Sequence, residues 1–252
     1  MTVSVTILPG GRLFEGHFPG RPILPGIAEL VLVARALAPA GDPAEVLAIP
    51  FARFRGLVLP AETLEVAAEP RGDGGVRFEV RRTGTLVANG AITFGAPRPD
   101  GATASAVASR AARGAPPIHE LIPHRPPMLF VDRVLGEADD GATCLGRIPS
   151  ACALVERGRA PAFVALEFAA QTAAVWEALR RSRASGPAPA RTGYLVSLKD
   201  VIVNRATIPA DAELIASVRL EAMAPPLSTY AVDVAVVGER ALSGTIGTYL
   251  SD

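Results

Sequence analysis

The chain has 252 residues and a mass of 26.1 kDa, enough for one large domain or two small ones with a substantial core. Hydrophobic residues make up 49% and charged residues 20%, which excludes a disordered or fibrous chain. Lys plus Arg number 25 and Asp plus Glu number 25, so no global field draws the protein to nucleic acid or to an anionic membrane.

The opening string MTVSVTILPGG lacks a basic segment followed by an unbroken apolar run, so it does not read as a secretory signal, and a cytoplasmic protein is expected. The longest apolar stretches, Ile23 to Ala40 and Ala160 to Ala178, are interrupted by Pro25, Glu29 and Arg35 and by Glu167, Gln171 and Glu177, so neither is expected to span a bilayer.

Phe14 to Gly26, FEGHFPGRPILPG, is an irregular Gly- and Pro-rich segment with His17 among apolar neighbours. It leads into a helix expected over Gly26 to Ala38, bounded by Pro25 and Pro39 and apolar almost all round. Such a helix needs a sheet wrapped over it. The runs VLAIPFARFRGLVL, ETLEVAAEP, GVRFEVRRTG and TLVANGAITFG then alternate and are punctuated like strands.

Residues 98–116 are small and polar with repeated Pro and Gly, the composition of a linker, which leaves domains at 1–97 and 117–252. The second half repeats the plan: a helix over Ala162 to Arg181, then TGYLVSLKDVIVNRATI, AELIASVRLEAM, STYAVDVAVVG and RALSGTIGTYL as strands. One helix against one antiparallel sheet, twice, is an α+β duplication. Cys144 and Cys152 have no further Cys or His at zinc-ligand spacing, so two buried free thiols and no metal cluster are expected.

Chemistry concentrates at two places. His17 offers a proton carrier, and the N–H groups at the helix start, from Gly26, offer donors to a carbonyl oxygen that gains negative charge. In the second half Glu167 lies in an almost wholly apolar helix, where an acid is costly unless it works or is paired, and Gln171 shares its face at i+4.

The string GHFPGRPILPG resembles the active-site segment of the hotdog-fold 3-hydroxyacyl-acyl carrier protein dehydratases of the FabA/FabZ type, in which an antiparallel sheet wraps a central helix. The resemblance implies that His17 is the base and that Gly26 supplies the N–H for the thioester carbonyl, with Phe18 and Pro25 in support. The family's acid follows the histidine by 14 residues, and that position here is Val31. Glu29 is a poor substitute, because two residues along a helix rotate a side chain by about 200°.

IHELIPHRPPMLFVDRVL, Ile118 to Leu135, is similar to the start of the same dehydratases. His124 and Arg125 are expected there as turn-forming core residues, and His119 at the surface. This half has SACALVERGRAPAF where the histidine turn belongs, yet ALEFAAQ resembles the family's acidic helix segment with Glu167 as the acid and Gln171 in support. The first half resembles one dehydratase subunit of aryl polyene synthesis and the second half its helper subunit.

The resemblance therefore implies a double hotdog, an internal pseudo-dimer open to further homo-oligomerisation, with one composite site from His17 and Glu167. The reaction implied is dehydration of a 3-hydroxyacyl thioester to a trans-2-enoyl thioester, with Glu167 protonated by burial as general acid. The substrate rides on acyl carrier protein or coenzyme A, and neither a metal nor another cofactor is called for. Arg21, Arg53 and Arg55 are candidates for meeting the acidic carrier. A hotdog thioesterase and a non-catalytic acyl-thioester binding protein remain as alternatives.

Overall fold

A computed structural model describes residues 2–6, 11–38, 42–99, 110–111, 116–186 and 190–251. In the first half β1 (Thr2–Thr6) and the His17 segment precede helix α1 (Gly26–Leu37), followed by β2 (Val46–Phe54), β3 (Thr63–Pro70), β4 (Gly75–Arg82) and β5 (Thr85–Phe94). The expected linker falls largely outside the described residues, and its described part includes the two-residue strand β6 (Arg110–Ala111), which pairs with Gly136 and Glu137. The second half runs α2 (Ile118–Leu121), β7 (Val131–Ala138), β8 (Gly141–Gly146), β9 (Arg159–Pro161) and α3 (Ala165–Ser185). It closes with β10 (Gly193–Val203), β11 (Thr207–Pro209), β12 (Leu214–Ala224), β13 (Leu227–Val236) and β14 (Glu239–Leu250).

Among the described residues twelve strands form one antiparallel sheet in the order β1-β3-β4-β5-β2-β10-β14-β13-β12-β8-β7-β6. Reading outward from the centre, each half presents the strand after its helix, then its last strand, then the next-to-last. That mirrored order is the expected duplication. The halves join where β2 pairs antiparallel with β10, Ala52 opposite Leu198 and Ile49 opposite Val201. These four side chains are buried, so the seam is held by apolar packing as well as by the ladder.

Each helix is wrapped as its composition requires. Ile27, Leu30, Val31, Val33 and Ala34 of α1 are buried against the first half of the sheet, and Phe168, Ala169, Val175 and Trp176 of α3 against the second. Ala162–Ala184 is long and apolar enough to cross a membrane, but most of it is buried inside the fold, which explains its hydropathy as that of a core helix. Cys144 and Cys152 are buried free thiols, and burial pushes them up to about 12 and about 11.

Candidate active site

The Gly- and Pro-rich segment before α1 holds His17 rigidly. Its Nδ1 lies 3.0 Å from the carbonyl oxygen of Ile23, which only accepts, so Nδ1 carries the hydrogen and Nε2 keeps its lone pair. The ring stacks on Phe18 with centroids 4.0 Å apart. Burial lowers the His17 imidazole to about 4, outweighing the Glu167 carboxylate nearby, which favours the charged form. At neutral pH His17 is therefore a neutral base with a defined basic nitrogen.

Pro25 is the N-cap of α1, and Gly26 is its first residue, so the Gly26 N–H is one of the four without an acceptor inside the helix. Gly26, His17, Glu167, His124 and Glu29 line one cavity of about 310 Å³. A Cβ on Gly26 would lie 3.3 Å from the Phe54 ring, so a larger residue there would crowd this wall.

Glu167 comes from the first turn of α3 and is 3% exposed. Gln171 donates to its Oε1 at 3.0 Å and to the Met128 carbonyl at 2.7 Å, while its own oxygen accepts from the Phe130 N–H at 2.8 Å. Backbone groups on both sides thus hold the Gln171 amide, and the amide holds the Glu167 carboxyl group.

Two expectations need correction here. Glu167 was expected to be protonated by burial. Burial does push its carboxyl up, but His124 Nε2 lies 3.3 Å from Oε1, and with His17 and Gln171 it lowers the group to about 2. Glu167 is ionised at rest. His124 was expected as a bystander in a turn; it is buried, but it also lines the cavity and sits with its ring 5.3 Å from that of His17 and 4.8 Å from Phe18. Arg125 fits the turn role, donating to the carbonyls of Ile122 and His124, and His119 is exposed.

Glu29 and Val31 do diverge, as helical rotation requires. Val31 packs into the core, and Glu29 turns onto the cavity that holds His17. What sequence reasoning missed is that the side turned away from the lost acid's position is the side facing the surviving histidine. Fourteen residues before Glu167 the second half has Ala153, so its histidine position is vacant of any base.

The ligand-capable atoms of His17, His124 and Glu167 lie within 4.8 Å of one another, the one such buried group among the described residues. A zinc ion bound at about 2.0–2.2 Å would need its ligand atoms about 3.4 Å apart, so these side chains would have to contract to hold one. With His17 Nδ1 committed to Ile23 and Glu167 to His124 and Gln171, proton transfer suits the set better.

A central helix wrapped by each half of a continuous sheet, with a histidine from one half facing an acid from the other, defines a double-hotdog dehydratase. The ApeP-like family model, described as ApeP dehydratase, matches residues 116–252, and the ApeI-like model, described as ApeI dehydratase, matches residues 1–91. The chain belongs to the ApeP-like dehydratase family, with an ApeI-like half fused ahead of it.

Among curated relatives, the 3-hydroxyacyl-[acyl-carrier-protein] dehydratase FabZ of Thermus thermophilus is 35% identical over 94 residues, covering 32% of this chain and 66% of that protein. FabZ of Lactobacillus helveticus is 32% identical over 110 residues, covering 39% and 73%. The dehydratase heterocomplex ApeI:P of Xenorhabdus doucetiae is similar in structure at a TM-score of 0.50 and 19% identity, covering 54% of this chain and 92% of the other. A trans-AT polyketide synthase dehydratase domain from Brevibacillus brevis matches 100% of this chain and 94% of its own length, at a TM-score of 0.72 and 14% identity. These structural likenesses show the double-hotdog fold.

Proposed function

We propose that this dehydratase removes water from 3-hydroxyacyl thioesters, giving trans-2-enoyl thioesters, at a single site built from both halves. The observation that supports it most is the pairing of a neutral His17 whose Nε2 is free with the Glu167–His124 pair across the same cavity. With the thioester oxygen on the Gly26 N–H, His17 Nε2 takes the proton from C2, and the negative charge that develops on that oxygen is met by the N–H and the dipole of α1.

The C3–O bond then breaks, and the hydroxyl leaves as water with one proton held between His124 and Glu167. The pair holds one proton in total, on the imidazole or on the carboxyl 3.3 Å away, so passing it to the hydroxyl leaves a neutral His124 and a carboxylate. After the enoyl product leaves, His17 returns its proton to the pair, so the C2 proton and the hydroxyl have left as one water. The elimination needs only the substrate and these side chains.

The substrate is carried by acyl carrier protein or coenzyme A in the cytoplasm. Beside the mouth at Arg55, a shallow depression is lined by Arg21, Arg82, Leu57 and Leu59, the two leucines 37% and 44% exposed. Cations around an exposed apolar centre suit the acidic surface of a carrier protein; Arg53 is exposed on β2.

An ionised Glu167 also fits a second reading, hydrolysis, in which the carboxylate activates water. Product analysis with a 3-hydroxyacyl thioester separates the two. Enoyl thioester is expected; free acid would select the hydrolase, and acyl binding without turnover would select a binding protein.

A further inference from the structure

Glu29 is a buried acid that this elimination does not use. It is 3% exposed, it lines the cavity with His17 and Gly26, and its Oε1 is buried without a hydrogen-bond partner. An unpaired acid in that position is destabilising unless a ligand completes it. The remaining walls leave space in front of it for such a ligand, because the cavity runs between α1, α3 and the paired ends of β10 and β14.

Helix geometry fixes what the carboxyl group faces. Side chains on an α-helix lean toward its N-terminus, so a residue at i+3 covers the turn of residue i. Glu29 is three residues after Gly26, and both residues line the cavity. A ligand atom held by that N–H is within reach of the carboxyl, and in the reading above that atom is the thioester oxygen.

Resting on that reading, we propose that the Glu29 carboxyl group donates a second hydrogen bond to the substrate carbonyl oxygen, beside the Gly26 N–H. The donor must be uncharged, since a carboxylate would repel an oxygen that gains negative charge. Burial supplies that state by pushing Glu29 up to about 8, with no charged neighbour contributing. The titratable or charged groups facing the same cavity are His17 from the segment before α1, Arg55 after β2, His124 after α2, Glu167 and Glu177 from α3, Tyr194 from β10 and Tyr249 from β14.

The test uses the full chain and a 3-hydroxyacyl thioester across pH 6 to 9. Glu29→Leu should lower kcat by about ten- to a hundredfold, the range of a lost donor to a developing oxyanion, with a smaller change in KM. Glu29→Gln, which keeps an N–H donor at the same reach, should recover most of that loss. The wild type should lose kcat as pH rises through about 8, and Glu29→Gln should lack this limb. Wild-type kcat in the leucine variant, or an unchanged alkaline limb in the glutamine variant, would overturn the inference, and the glutamine variant keeps it testable if leucine impairs folding. If the wild type makes no enoyl thioester, or His17→Ala retains turnover, it is the dehydration reading that fails instead.

Discussion

In the proposed elimination His17 and Glu167 take different roles because their surroundings shift them differently. His17 is buried with one nitrogen tied to a carbonyl, whereas Glu167 is buried against a donor amide and an imidazole. His17→Ala and Glu167→Gln are each expected to lower dehydration by about a hundredfold or more, the scale of lost acid–base catalysis. His124→Gln should also lower it by about tenfold or more, because the proton that Glu167 delivers is held with His124; activity unchanged in this variant would remove His124 from the mechanism. Activity should hold as pH falls from 7 to 5, since His17 is protonated only near 4.

Stability has its own pH dependence, with signs set by the same environments. His17 falls from 6.5 to about 4, so its contribution is present above 6.5 and is lost as pH falls through 4. Glu29 rises from 4.5 to about 8, so its contribution is present below 4.5 and is lost as pH rises through 8. Chemical unfolding of the wild type and Glu29→Gln at pH 5 and 9 checks this. The wild type should weaken relative to the variant at the higher pH, and a constant difference would contradict it.

The segments around these residues are held by contacts between the halves. Gly16 has φ +81°, and a Cβ there would lie 2.0 Å from the Arg125 carbonyl oxygen, whose own N–H donates to Gly16 O at 3.0 Å. This hydrogen bond and close approach bring His124 beside His17, and a second tie between the halves is the Arg35–Glu156 ion pair. Gly16→Ala should therefore separate the two histidine-bearing turns, lowering both melting temperature and turnover. Gln171→Leu strands the Phe130 N–H and Met128 carbonyl, so it is expected to cost about 1–3 kcal/mol in chemical unfolding as well as activity.

The two central helices, α1 and α3, most of the strands and the candidate positions His17 and Glu167 were legible in the sequence, because apolar helices between Pro and Gly boundaries and alternating runs are local signals. β8 was not, since Gly141–Gly146 is short, small-residued and buried without alternation. Nor was the role of His124. Its contact with Glu167 joins residues 43 positions apart through the fold, and no spacing within PHRPPML records it. The charge of Glu167 was misjudged for the same reason: burial is visible in an apolar helix, whereas the partners that overcome it arrive from other elements.

Seen whole, the molecule is a subunit pair joined in one chain. In the proposed site each half supplies a group that the other lacks, and the β2–β10 ladder sets the register of the halves. The linker should act only through effective concentration, so cleavage at a protease site introduced within 98–116 should leave turnover unchanged at protein concentrations where the halves stay assembled, and lower it only on dilution. Activity lost on cutting and not recovered at high protein concentration would show that the connection shapes the site.

The most direct measurement is dehydration by residues 1–97 alone, by residues 117–252 alone, and by the two segments produced together. A site composed across the halves predicts no turnover from either segment and turnover from the pair, abolished by His17→Ala in the first or Glu167→Gln in the second. Turnover by residues 1–97 alone would show that His17 finds its acid within its own half, and would contradict the composite site.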